Sequence, residues 1–358
     1  MRRFLLNVVP TLLVVLLLTG CDVHQWPDPV PEPEPEPEGP PVTVTMGLEY
    51  ETAYYLWEHN YDPISGKIEE ANPTLVLFPE YPGTSLRYDN VQPAGRVQVY
   101  VKVFPASDAL RCVAEQVLTH DIDGTYDGNV EMELPESGVY DVVVWSQLLA
   151  PEQTAPYYDA SNFNQVHIIP ANYQGNTDYR DGFRGRIRID AATEVNGRYV
   201  VRMDRPMGKF ELVTTDLSEF LDRETVARKL TTRAVPEDYR VVISFPVYYP
   251  SSYSAMDDRL ENATTGVSFE TQMTVTGVSE ASLGFEYVLL NNIADGAVQA
   301  RVDVYRLDGT HVAGSTTLTI PMRRDHHTLL RGAFLTINDN GGVGIDPGFN
   351  GDHNITWH

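Results

Sequence analysis

The sequence predicts a mainly β protein made of two successive β-sandwich modules joined by a single helix. From Val42 onward, short runs rich in Val, Ile, Thr, Tyr and Phe alternate apolar with polar residues. Gly, Pro, Asn and Asp punctuate them, the pattern of half-buried strands and turns. One segment breaks that alternation with helical spacing. The chain of 358 residues is also long enough for two domains of roughly 150 residues, the size at which about 70% of the chain surface is buried.

Taken in order, residues 1–20 read as a targeting segment. Arg2 and Arg3 precede an apolar run from Phe4 to Leu18, interrupted by Asn7, Pro10 and Thr11, and small residues follow. The run closes on Leu18-Thr19-Gly20-Cys21, which resembles the lipobox of bacterial lipoproteins. That resemblance implies cleavage before Cys21, with the thiol carrying diacylglycerol and membrane lipid as a permanent partner. Several acyl chains at about 0.8 kcal/mol per buried methylene hold far better than one. The expected location is the outer membrane, with the body at the cell surface or on the periplasmic face.

Residues 21–41 form a spacer, because the alternating Pro and Glu of Pro31 to Glu38 remove backbone donors while like charges extend the chain. In the polyproline II form it rises about 3.1 Å per residue. Loss of Arg2 and Arg3 takes the formal charge from −24 to −26, so nucleic acid and anionic lipid are poor partners. Cys112 is the one other cysteine, which leaves no partner for an intrachain disulfide.

Strands are expected at Val42 to Tyr50, Arg96 to Phe104, Cys112 to Thr119, Asn129 to Leu134, Val139 to Trp145, Arg198 to Met203 and Lys209 to Thr214. The second half supplies Arg240 to Tyr248, Thr265 to Val275, Ser282 to Leu290, Ala297 to Leu307, Ser315 to Ile320 and His327 to Thr336. Between them, Asp216 caps a predicted helix, Glu219 completes a capping box, and Leu217, Phe220, Ala227 and Leu230 make its apolar stripe. Glu224 is the misfit on that stripe, and the helix is expected to end at Thr231. As a connector it sets the modules at 42–205 and 206–358. Val97 to Phe104 aligns without gaps with Val298 to Tyr305, five of eight positions being identical or aromatic for aromatic. Two copies of one sandwich explain this echo, as does the generic look of amphipathic strands.

The spacings that catalysis or metal binding demands are missing: no zinc-type HExxH, nucleophile elbow, phosphate loop, dinucleotide fingerprint or CxxC pair occurs. The chain is therefore expected to be no enzyme, with no cofactor and no metal. Cys112 falls in an apolar strand pattern and reads as a small buried hydrophobe. His326-His327 reads as a polar turn, since neighbours on a strand face opposite ways and cannot share one ion. Asn338-Asp339-Asn340-Gly341-Gly342 lacks the calcium-loop order, and Phe349 stands where a bidentate Glu is required. The doublets Tyr54-Tyr55, Tyr157-Tyr158 and Tyr248-Tyr249 are expected to place one ring in the core and one outside, available for packing, protein or sugar.

Four strings carry a wider resemblance: Cys21 to Pro27, Asp178-Tyr179-Arg180-Asp181-Gly182-Phe183-Arg184-Gly185, Met203 to Phe210, and Gly341 to Gly351. They resemble those of uncharacterised lipoproteins of Bacteroidales. More distantly, the lipobox, spacer, two β domains and an R-P-M-x-K-F segment at Arg205 to Phe210 are similar to the fimbrillin superfamily. That resemblance implies two tandem transthyretin-like sandwiches. It also implies an anchor or accessory subunit, because no Arg stands between Cys21 and Arg87 where shaft subunits are cut. From the residues alone, Arg180, Asp181 and Arg184 form an exposed turn paired with carboxylates, and Met207 and Phe210 are core contacts. The function expected is fimbria-like assembly or adhesion, with fimbrial-type subunits or a host or glycan ligand as partners. The alternative is a surface glycan-binding lipoprotein.

Overall fold

The computed structural model describes residues 41–50, 54–70, 74–76, 95–122, 128–191, 198–292 and 296–336. The targeting segment, Cys21, nearly all of the spacer, Arg87 and the Gly-rich tail lie outside them. The described residues, all of them beyond residue 40, form one compact unit.

Four sheets and one helix make up its described part. Sheet one runs in the order β6-β5-β8-β11-β12-β1-β7. Its strands are β1 (Val42–Tyr50), β5 (Arg96–Pro105), β6 (Ala114–Asp121), β7 (Asn129–Leu134), β8 (Val139–Leu149), β11 (Gly182–Asp190) and β12 (Arg198–Asp204). The edges β6 and β7 approach each other, so the sheet nearly closes on itself. Sheet two is ordered β18-β19-β13-β23-β2-β3, with β4 also on β2. It comprises β2 (Tyr54–Asp62), β3 (Lys67–Glu70), β4 (Thr74–Val76), β13 (Met207–Thr214), β18 (Thr274–Val275), β19 (Ala281–Leu289) and β23 (His326–Gly332).

Sheet three is ordered β17-β14-β20-β21, with β22 also on β20. It holds β14 (Tyr239–Phe245), β17 (Val267–Thr271), β20 (Gly296–Arg306), β21 (His311–Gly314) and β22 (Leu318–Met322). Sheet four is short and ordered β16-β15-β10-β9, from β9 (Tyr158–Asp159), β10 (Val166–Ile168), β15 (Tyr249–Ser254) and β16 (Arg259–Thr264). Sheet one is drawn wholly from residues before 205 and sheet three wholly from residues after it, while sheets two and four draw on both sides.

Alternation explains why the expected strands form. Val97, Val99, Val101 and Val103 of β5 are buried, as are Val298, Ala300, Val302 and Val304 of β20, so the two segments that echo each other in sequence are both inner strands. From Tyr140 on, β8 is buried on both faces: Val142 and Val144 join the core inside sheet one, and Val143 and Trp145 join the larger core shared with sheets two to four. That double burial makes sheet one inseparable from its neighbours. Where β11 crosses β12, a Cβ on Gly185 would stand 2.6 Å from Met203 Sδ and Val201 Cγ1, which demands the missing side chain. Met207 and Phe210 are core residues, as expected.

The helix, α1 (Leu217–Ala227), packs Leu217, Phe220 and Leu221 into the larger core and ends four residues before Thr231. Glu224, the misfit, is buried and accepts from Arg306 Nε at 2.8 Å and from the Tyr239 hydroxyl at 3.3 Å. Asp216 makes no capping bond from its side chain. Cys112 corrects the expectation of burial: it precedes β6 on the surface, where its thiol donates to Ala114 O at 3.3 Å. The strand begins at Ala114 because Cys112 has no ladder partner, β6 pairing with β5 only from Ala114 on. His326 and His327 open β23, and the turn lies just before them. Their rings go opposite ways, His326 stacking on Tyr55 at 4.9 Å and His327 pairing with Glu211 at 3.1 Å.

On β2, His59 is 2% exposed, edge-on to Trp57 at 4.6 Å, and neither ring nitrogen has a hydrogen-bond partner among the described residues. Burial holds the ring's pKa below its ordinary value, Glu70 opposes that shift, and Arg323 adds to it. A lowered histidine contributes stability fully above its unfolded pKa of about 6.5 and loses it as pH falls through the folded value. His59→Leu is therefore expected to raise stability by about 1–3 kcal/mol, more at pH 5 than at pH 8. Urea melts of both proteins at the two pH values check this; an equal effect at both would refute the protonation account.

A cleft floored by locked tyrosines

The strongest candidate site is a cleft of about 710 Å³ between sheet four, the segment 170–173 and the start of β17. Sheet four positions it: the antiparallel pairs Val166↔Tyr253 and His167↔Ser252 bring residues 165–173 against residues 249–268. Half-buried Tyr173, backed by the fully buried Tyr249, forms the floor, and Gln165, His167, Ser252, Asn262, Thr264 and Ser268 supply polar groups around it. Among the described residues no Asp, Glu, Lys or Arg lines this cleft, although 21% of the chain is charged. Ser252 is 1% exposed, and its hydroxyl has no hydrogen-bond partner among the described residues.

Beneath the floor lies the Asp178-to-Gly185 string. Arg180 and Asp181 are both 0% exposed, which corrects the expectation of an exposed turn. Turn geometry ends at Arg180, and Gly182–Asp190 is strand β11, because Phe183 and Ile189 alternate into the core while Arg184, Arg186 and Arg188 alternate away. The expected pairing with carboxylates does occur. Arg180 Nη1 lies 2.9 Å from Glu286 Oε1, and Arg205 Nε donates to Asp181 Oδ2 at 2.9 Å. Arg184 donates to Ala255 O at 2.8 Å and lies 3.7 Å from Asp258. Two of the singled-out strings thus meet, Arg205 also stacking on Phe183 at 4.8 Å.

The ion pair fixes the tyrosines. Tyr173 donates its hydroxyl to Glu286 Oε2 at 3.0 Å, and Arg180 Cζ sits 4.6 Å from the Tyr173 ring centre. Tyr249 donates to Tyr287 O at 3.1 Å and accepts from Arg180 Nη2 at 3.3 Å. The two rings meet edge to face at 6.2 Å. Burial pushes both hydroxyls up, so they stay protonated donors. Burial also pushes the Glu286 carboxyl up to about 7, against the pull of Arg180. Both hydroxyls are spent inward, and the site can offer aromatic surface below with hydroxyl, amide and imidazole groups around it.

Of the tyrosine doublets, Tyr248-Tyr249 behaves as expected, with Tyr248 65% exposed and Tyr249 buried. Tyr55 is exposed beside a half-buried Tyr54. Tyr157 and Tyr158 are both buried, since Tyr157 precedes β9 and escapes the alternation. Sequence reasoning reached Tyr249 and Arg180 but missed Tyr173, Glu286 and Ser252. The density of Ser, Thr and Tyr across residues 248–268 is the one local signal that pointed there. Cys21 and the Asn338-to-Gly342 loop lie outside the described residues. Among those residues no three His, Cys, Asp or Glu side chains converge to hold a metal ion, and no helix is long and apolar enough to cross a membrane.

No curated protein is detectably similar to the sequence. Among solved structures, a Bacteroides thetaiotaomicron protein provisionally described as an adhesin shares 11% identity at a TM-score of 0.42, covering 77% of this chain and 81% of its own. Proteins of the same species provisionally described as polysaccharide-binding share 11% at 0.41, covering 76% and 80%. The fimbrial anchor protein Mfa2 of Porphyromonas gingivalis shares 12% at 0.36, covering 77% and 82%. At TM-scores this low the likeness carries neither fold nor function across. A family model does match, over residues 84–358, and by that match the chain belongs to DUF6562, a family of unknown function.

Proposed function

We propose that this protein is a lipid-anchored, non-enzymatic surface protein of the outer membrane that acts in adhesion or fimbria-like assembly. Cys21 holds the lipid, residues 21–41 lift the body from the membrane, and residues 42–205 and 206–358 are two tandem transthyretin-like modules. The observation that carries the reading is the Tyr173–Tyr249 cleft: it is of ligand size, and a buried scaffold holds its floor before any ligand arrives. Assembly through strand edges is the second reading. Among the described residues β6 ladders only with β5 and β7 only with β1, and the seam where these two edges approach without pairing is the place for an added strand.

The test uses intact cells carrying the wild-type chain or Cys21→Ser. Metabolic labelling with palmitate is expected for the wild type alone, with surface protease digesting it and cell adhesion falling in the variant. An unlabelled wild-type chain, or adhesion indifferent to Cys21→Ser, overturns the proposal. Native pull-down separates the two mechanisms: co-purifying β-rich subunits support assembly, and recovery alone supports the cleft.

A further inference from the structure

The geometry points to a neutral saccharide as the ligand of the Tyr173–Tyr249 cleft, an inference that rests on the adhesive reading and names its chemistry. Three independent features of the wall select that class. First, a cleft without Asp, Glu, Lys or Arg in a chain of formal charge −24 offers no counter-charge to a phosphate, carboxylate or amine. Ionic ligands would lose hydration there without compensation.

Second, the polar groups are those that read hydroxyls. Asn262 and Gln165 each supply donors and an acceptor, and Thr264, Ser268 and Ser252 supply hydroxyls that act in either sense. A sugar ring presents the same mixed donors and acceptors around its rim. Ser252 is the sharpest of these, because the hydroxyl of a residue only 1% exposed, without a partner among the described residues, carries a desolvation cost that a ligand hydroxyl would relieve. Apolar ligands would leave it unrelieved.

Third, the floor is aromatic and immobile. Sugar rings carry one face of axial C–H groups that packs on aromatic surface, and half-buried Tyr173, backed by the fully buried Tyr249, is fixed for it through Glu286, Arg180 and Tyr287 O rather than through cleft contacts. Ligand contact therefore costs these rings little ordering entropy. Loop 264–268 forms one lip, where Gly266 has a φ of +74° and nothing within 4 Å of a Cβ position.

The experiment uses the full-length chain on an array of neutral hexose and N-acetylhexosamine oligosaccharides beside sialylated, sulfated and phosphorylated ones. Titration calorimetry then quantifies the best neutral oligosaccharide. Retention of neutral glycans is expected, with the acidic ones bound no better than their neutral cores. Asn262→Ala with Ser268→Ala, both exposed and safe for folding, should weaken binding at least tenfold at unchanged thermal midpoint. Thr264→Glu should abolish it. A blank array, preference for anionic glycans, or retention indifferent to both variants overturns the inference. Cell adhesion is scored in parallel. Adhesion that persists with a blank array leaves the adhesive reading standing and removes the saccharide. Glycan binding by a protein whose deletion leaves adhesion intact does the reverse.

Discussion

Replacing Arg180 with Met is expected to destabilise the protein by about 3–5 kcal/mol, while the double variant Arg180→Met, Glu286→Leu recovers most of that loss. The pair is fully buried, each side chain 1% exposed, with 2.9 Å between Arg180 Nη1 and Glu286 Oε1. Removing one member strands the other in a low-dielectric interior, whereas replacing both by apolar residues removes two desolvation costs together. Recovery stays incomplete because Tyr173 loses the carboxylate to which its hydroxyl donates. At this chain length the single variant should lower the melting midpoint by roughly 10 °C. The pH dependence gives a second readout. A carboxyl raised to about 7 when folded contributes stability that is fully present below its unfolded value near 4.5 and is lost as pH rises through 7. Stability of the wild type should carry this downward component between pH 4.5 and 7, and the double variant should lack it. Thermal melts across that range decide the matter: a double variant no more stable than Arg180→Met would show that the pair does not act as a unit.

How much of this was legible follows from the kind of pattern each element writes. Strands with one buried face are written in alternation, and β1 and β7 fall on the expected residues. The run expected from Arg240 to Tyr248 stops at Phe245, and the run from Thr265 to Val275 is broken around Met273. Hidden elements have diluted alternation. In β2 the buried positions are Trp57, His59 and Tyr61, and the polar ring of His59 amid Glu58 and Asn60 masks the period. In β11 three arginines occupy the alternate positions, so a strand reads as a turn; Arg188 is in fact fixed to Asp141 by bonds of 3.0 and 2.8 Å. The cleft was beyond reach for another reason. Its walls come from residues more than 80 positions apart, joined by the two residue pairs of β10 and β15, Val166↔Tyr253 and His167↔Ser252, and so brief a ladder leaves almost no mark on sequence.

Asp216 shows how a correctly noticed residue can serve a different end, and Asp216→Ala is expected to cost about 3–5 kcal/mol by loosening residues 334–336 rather than the helix. Its Oδ2 accepts from Leu335 N at 3.1 Å, Thr336 N at 2.8 Å and Thr336 Oγ1 at 2.7 Å, and its Oδ1 takes the Thr214 hydroxyl. Hydrogen bonds to a charged group contribute about 1.5–3 kcal/mol each, and a buried donor left unpaired costs about 1–3. From the helix, Arg223 holds the carbonyls of the same two residues, donating to Leu335 O at 2.7 Å and Thr336 O at 3.1 Å. This clamp seats Phe334 and Leu335 in the core, and Phe334 in turn stacks on Tyr61 of β2 at 5.3 Å. A capping role would give a smaller loss of about 1 kcal/mol, confined to the first turn of α1. Native-state hydrogen exchange separates the two. Faster exchange at the Leu335 and Thr336 amides, with the Ser218 and Glu219 amides unchanged, is the expected outcome. The opposite pattern would restore the cap. Asp216→Asn, which keeps one acceptor oxygen, should fall between wild type and Asp216→Ala in both stability and exchange.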